Sequence, residues 1–180
     1  PNIEFALFNG DYYDVEQWLS DGSAELGFVS MPTAAVTDCV PLMDDRILAV
    51  LPIGHRLADC ESISLKALAE EPFISLPESS AHDMRRALAG TGITPRIKFT
   101  TKDDYAIIAM VEQGFGVSIM PDLLLEGRRE RLAVKELENK PCRTIGLAMA
   151  PGTRNSPATL KFAEYVIRYM RETYGAPDGK

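Results

Sequence analysis

Residues 103–121 read DDYAIIAMVEQGFGVSIMP, and this stretch decides the fold. Ile107, Met110 and Val111 recur at helical spacing, Gly114 and Gly116 bracket one aromatic residue, and an apolar run then stops at Pro121. The pattern predicts an amphipathic helix closed by a left-handed glycine and passing almost without a loop into a buried strand. Gly114 can take a positive φ without steric cost, and Gly116 lets strand and helix backbones approach closely. A helix–strand unit of this kind belongs to an α/β domain.

The flanking sequence continues the alternation. Residues 3–8 (IEFALF) predict a mostly buried strand, and Asn9-Gly10-Asp11 a turn whose Asp11 caps a helix burying Val15, Trp18 and Leu19. Asp21-Gly22 ends that helix, residues 26–29 form the next strand, and the Ser30-Met31-Pro32-Thr33 loop follows. Such a β–α–β unit favours a parallel sheet with a right-handed crossover. Further strands are predicted at 46–51, 73–76, 96–99, 117–120, 132–137 and 144–149, with helices at 65–69 behind Ser64 and at 83–89. Ser156-Pro157 starts a last helix whose apolar face is Leu160, Ala163, Ile167 and Met170. The order suits a sheet interrupted by an inserted second α/β subdomain, with a cleft between the two.

Composition excludes several classes. With 46% hydrophobic residues a 180-residue chain can build a real core. A net charge of −7 argues against a nucleic-acid-binding surface, and Arg128, Arg129 and Arg131 read as a solvated turn. Three separated cysteines, Cys39, Cys60 and Cys142, fit free thiols in a reducing compartment, and with two histidines the chain offers no metal-ligand spacing. No cofactor is expected. No apolar run is long enough to span a bilayer, so no membrane partner is expected either. His82-Asp83 and Glu70-Glu71 invite an acid–base reading, but adjacent helical residues do not face each other and no nucleophile elbow, phosphate loop or HExxH occurs. An enzyme is not expected.

Ligand-carrying positions follow from topology, because open α/β sheets collect ligands outside the carboxyl ends of their strands. Four places qualify: Asn9, Gly10 and Asp11, where backbone N–H groups can hold an anion or simply make a tight turn; Ser30, Met31 and Thr33; Pro77, Ser79 and Ser80; and Thr101, Lys102, Asp103 and Asp104. In the last group Lys102 suits a carboxylate and Asp103 an amine or hydroxyl, while two acids at a helix start also satisfy its dipole.

Five segments in order make the chain resemble the effector-binding domain of LysR-type transcriptional regulators. They are Asn9-Gly10 with Glu25-Leu26-Gly27-Phe28; Pro41-Leu42 through Leu48 to Pro52 and His55-Arg56-Leu57-Ala58; residues 65–69 with Pro72-Phe73-Ile74; Met110 to Pro121; and Ser156-Pro157-Ala158 with Phe162. The resemblance covers nearly the whole chain. Arg56 stands where the family has proline, and Ser79-Ser80-Ala81-His82 where it often has Gly-Ser-Gly.

The resemblance implies a type II periplasmic-binding-protein-like fold of two Rossmann-like subdomains, 1–76 plus 145–180 and 77–144, joined by two crossings with a ligand cleft between them. It implies the sensing half of a cytoplasmic transcription factor whose winged helix-turn-helix, and with it DNA contact, lies in a missing amino-terminal region. A small polar or carboxylated metabolite would be the effector. Partners would be copies of the chain, as homodimer or tetramer, with helices 11–20 and 104–113 forming an antiparallel seam at residues such as Tyr12 or Ile108, either of which fits the chain's own core equally well. A secreted or periplasmic solute-binding protein of the same fold is the alternative.

Overall fold

The computed structural model describes residues 4–32, 38–77, 82–152 and 156–177, and Thr33, Ser79 and Ser80 of the predicted site lie outside them. The chain divides into two compact units, residues 1–44 with 143–180 and residues 45–142. The expected first boundary, after residue 76, moves back to Asp44. The reason is strand β2 (Cys39–Pro52), which begins well before the predicted 46–51; from Ile47 onward it is laddered with residues 118–121 and 132–135 of the second unit.

In the first unit, α1 (Tyr12–Asp21) is capped by Asp11 and ends at Gly22, whose φ is 79°. It packs on β1 (Leu26–Met31), and Gly27 makes the contact possible, since a Cβ there would stand 2.8 Å from Val15 Cγ1. β1 runs antiparallel to β8 (Cys142–Met149), with Ser30 opposite Ile145 and Met31 opposite Thr144. Side chains alternate faces along these strands. Leu19, Val29, Ala148 and Ala150 therefore make one small core, and Leu42, Leu147, Ala163 and Val166 a second. The second is roofed by α5 (Pro157–Tyr174), which Ser156 caps as expected and which runs three residues beyond the predicted end.

The predicted strand at 3–8 does not form over its described part. Residues 4–8 make no ladder, Leu7 is 96% exposed, and the segment is fastened by rings instead: Phe5 meets Phe162 at 4.8 Å and Phe8 meets Trp18 at 5.4 Å. An apolar run supplies side chains for burial but no partner edge, and a strand needs both. The expected parallel β–α–β unit is accordingly replaced by the antiparallel β1–β8 pair.

In the second unit, β2 is flanked antiparallel by β6 (Ser118–Pro121) and β7 (Leu132–Leu137), and the short β3 (Ser62–Ile63) pairs parallel with β7. β4 (Phe73–Ser75) and β5 (Ile97–Thr100) form a parallel pair. Helices α2 (Leu65–Ala69), α3 (His82–Leu88) and α4 (Asp104–Glu112) complete it. The second half of β2, residues 47–51, reads as an unbroken apolar run because both its faces are buried there. Ile47, Ala49 and Leu51 join a core with Phe73, Val117 and Leu137; Leu48 and Val50 join another with Ile74, Ile107, Ile108, Val111 and Met120. Arg46 fixes the rim, binding Asp122 at 2.6 Å and Glu136 at 2.5 Å.

The opening stretch behaves as read. Gly114 has φ 75°, and β6 follows four residues later. Gly116 permits a close approach, but to the carbonyl before β4 rather than to a helix backbone. A Cβ at Gly116 would lie 2.3 Å from the Pro72 carbonyl oxygen, which accepts a 2.9 Å bond from the Val117 N–H. Among the described residues no helix is long and apolar enough to cross a membrane.

Two measurements check this packing. Gly116→Ala is expected to lower unfolding free energy by about 1–3 kcal/mol, because the backbone obstacle cannot rotate away, read as a reduced urea midpoint with unchanged slope. Burial, and secondarily the Asp38 carboxylate, push the Cys39 thiol above its ordinary pKa, whereas Cys60 and Cys142 are exposed. A raised pKa leaves less thiolate at any given pH. Peptide mapping after iodoacetamide at pH 8 should find Cys39 labelled more slowly than the other two.

Candidate functional site

The second unit brings one group of predicted residues together. β4 and β5 are parallel and Ser75 pairs with Thr100, so the segments leaving their carboxyl ends, Leu76-Pro77 and Thr101 to Asp104, emerge side by side. Thr101 N–H donates to the Ser75 carbonyl at 3.1 Å, tying the two exits. Asp103 caps α4 by accepting the Tyr105 N–H at 2.9 Å, while its own N–H donates to Thr101 Oγ1 at 3.3 Å. Lys102 and Asp103 are exposed and Asp104 is half-buried in the first turn. Buried Ser75 donates its hydroxyl to the Leu76 carbonyl at 2.9 Å, so the floor of this exit is internally satisfied.

The first unit brings together another. Asn9, Gly10 and Asp11 precede α1, and a capping box closes the helix start: Asp11 accepts the Asp14 N–H and Asp14 accepts the Asp11 N–H, each at 3.1 Å. Gly10 is explained by packing, since a Cβ there would meet Trp18 at 2.6 Å and Asp14 at 2.7 Å. The Asp11 and Asp14 carboxylates thus already hold two helix N–H groups at this turn. Ser30 and Met31 end β1 as expected. Met31 packs over Gly146, as does Cys39: a Cβ on Gly146 would fall 2.7 Å from the Met31 sulfur and 2.5 Å from the Cys39 sulfur.

Residues absent from the sequence reading appear at the same end of the first unit. Arg143, only 8% exposed, donates from Nη1 to the Tyr12 phenol at 2.5 Å, joining the start of β8 to the start of α1. Beside it Thr144 donates to Asp44 Oδ1 at 2.6 Å. The one sequence signal for Arg143 is a lone charge inside an apolar strand, CRTIGLAM. In the second unit Asp45, 2% exposed, accepts the Leu123 N–H at 3.1 Å.

The expected seam residues are otherwise engaged. Ile108 is 2% exposed, inside the core with Ile107 and Val111, because helical phase turns it inward. Tyr12 is half-buried against Arg143. Tyr13 and Tyr105, at 71% and 54% exposure, are what these helices present instead. Glu71 is held by Arg56 at 2.5 Å and faces His55 at 3.5 Å, and His82 Nδ1 lies 3.1 Å from Arg85. Among the described residues no three His, Cys, Asp or Glu side chains gather to hold a metal ion.

Known proteins match this chain along almost its whole length. The family model described as LysR substrate binding domain matches residues 1–171. Two relatives from Bacillus subtilis (strain 168), the uncharacterized HTH-type transcriptional regulators YvbU and YybE, are 29% and 30% identical over 98% and 96% of the chain. The chain spans 59% and 60% of their respective lengths. Among solved structures, the effector-binding domain of QuiR in complex with shikimate superposes with a TM-score of 0.83 at 24% identity, covering 94% of this chain and 83% of that one. The Synechocystis PCC6803 CcmR regulatory domain in complex with 2-PG gives 0.81 at 21% identity, covering 93% and 82%. These likenesses establish the type II periplasmic-binding-protein-like fold. The matched relatives are named as transcriptional regulators, none of them as a secreted solute-binding protein. A match over 171 of 180 residues in one ordered block places the chain in the LysR substrate-binding-domain family.

Proposed function

We propose that this chain is the metabolite-sensing part of a LysR-type transcriptional regulator working in the bacterial cytoplasm. The observation that carries the reading is the family match from residue 1 to 171, supported by strand-end loops suited to small ligands. The effector is a small polar or carboxylated metabolite. The candidate contact residues are those the sequence singles out, Asn9, Gly10, Asp11, Ser30, Met31, Pro77, Thr101, Lys102, Asp103 and Asp104, with Thr33, Ser79 and Ser80 lying outside the described residues. Shikimate held by the QuiR domain and 2-PG held by the CcmR domain are ligands of that size and polarity. An effector that binds one conformation more tightly shifts the population towards it, and this is the physical basis of the switch. DNA is contacted through another part of the regulator, consistent with a net charge of −7 here. The regulator assembles as a homodimer or tetramer, with the exposed Tyr13 and Tyr105 faces as seam, and it catalyses nothing.

The test is a thermal-shift screen of the chain against amino acids, organic acids, aromatic acids and nucleobases. A specific ligand at hundredfold excess over Kd adds about 2.7 kcal/mol to stability. A clear rise with one class identifies a sensor; flat curves for all four classes in a folded sample count against sensing. A single monomeric boundary in sedimentation velocity at high concentration counts against the seam. Asp103→Ala removes the α4 cap, so the free protein should lose about 1 kcal/mol. It should also weaken any cationic or hydroxylated ligand found in the screen. An unchanged affinity takes Asp103 out of the site.

A further inference from the structure

We propose that the solvent face of α5 is a docking surface for a second copy of this chain, whose own α5 lies antiparallel against it. The contact goes beyond the sensing function proposed above and does not involve the Tyr13 and Tyr105 seam. α5 buries Thr159, Ala163 and Val166 on its inner side. On the outer side Lys161, Tyr165, Arg168 and Glu172 are exposed, at steps of four, three and four residues. Such steps align side chains in one stripe, the pattern through which two long helices meet.

Two observations set this stripe apart from a merely solvated face. First, it exposes aromatic surface: Tyr165 and the neighbouring Tyr169 are 54% and 51% exposed, with stacked rings 6.4 Å apart. The Arg168 guanidinium lies over the Tyr165 ring, 5.7 Å from its centroid. Second, charges are left over. Glu164 and Glu172 stand four residues to either side of Arg168, a spacing at which helices close ion pairs internally. Yet among the described residues Lys161, Glu164, Arg171 and Glu172 make no ion pair.

The order of these residues is self-complementary in one direction only. With a two-fold axis at the level of Val166 and Ile167, Lys161 meets the partner's Glu172 and Tyr165 meets the partner's Arg168. On the flank Glu164 comes opposite the partner's Arg171. Each contact occurs twice by symmetry. Parallel pairing would instead set the two Arg168 side chains together, and the two Lys161 side chains likewise. An isologous contact needs a patch that fits itself, and like charges in register repel. The charge order therefore selects both a second copy and its direction. Exposed ion pairs are individually weak, so the contact serves chains already held close together.

Disulfide trapping tests this in the whole chain, with Cys60→Ser and Cys142→Ser removing the exposed native thiols. Into that background go Lys161→Cys and Glu172→Cys, together and singly. Within one helix these positions stand roughly 16 Å apart, too far for an internal disulfide. Across the antiparallel pair each faces the other, while two copies of either one stay well separated. Under mild oxidation the double variant is expected to form a linked dimer roughly tenfold faster than either single variant, the advantage of a preformed contact over collision. Adding Glu164→Arg should slow linkage roughly five- to fiftyfold, because like charges then meet on both flanks. Adding Arg171→Glu to that chain should restore the rate. Equal or faster linkage by a single variant overturns the pairing, as does a rate that ignores Glu164→Arg. None of these outcomes touches the sensing function, whose test is ligand binding.

Discussion

The larger unit depends on two backbones touching. Where Gly116 passes the Pro72 carbonyl, the absence of one Cβ allows the Val117 N–H to bond that oxygen, and the Ile74 N–H then bonds the Val117 carbonyl. These two bonds set how deeply β4 sits beside the start of β6. Phe73 falls into one core and Ile74 into the other as a direct result, because neighbouring strand residues point to opposite faces. The exits at Leu76-Pro77 and Thr101 inherit their position from that register. A site assembled from loop ends is thus held by a contact buried well inside the unit.

Much of this was legible because it is encoded locally. Gly114 after the Ile107, Met110 and Val111 stripe, Ser156-Pro157 before α5, and Ser64 before α2 each name a helix end through a single stereochemical requirement. The Asp103 cap was legible for the same reason. Edges were not. Residues 4–8 have the composition of a strand, yet pairing depends on which edge stands within reach, and that is a property of the assembled sheet. β2 began seven residues earlier than expected because Cys39 to Asp45 contains two acids, which mask a strand until their partners, Thr144 and the Leu123 N–H, are known.

The site was half legible. Topology located Pro77 and Thr101–Asp104 at adjacent strand exits, since that follows from two parallel strands alone. It could not locate the Arg143–Tyr12 pair, whose members are 131 positions apart and share no motif. Ile108 was open between seam and core. An apolar residue on a helix with apolar residues at several phases can face either way, and only the packed core assigned it inward.

The carboxylates at the helix starts have one further consequence. α1 begins with the reciprocal Asp11–Asp14 box and α4 with Asp103 and Asp104, so both positive helix ends already carry resident anions supplied by the chain itself. The field that would otherwise draw any passing phosphate or sulfate is spent internally. Abundant inorganic anions in the cell thus meet no generic trap at these two turns. An anion approaching either turn would have to displace a carboxylate that the chain itself supplies.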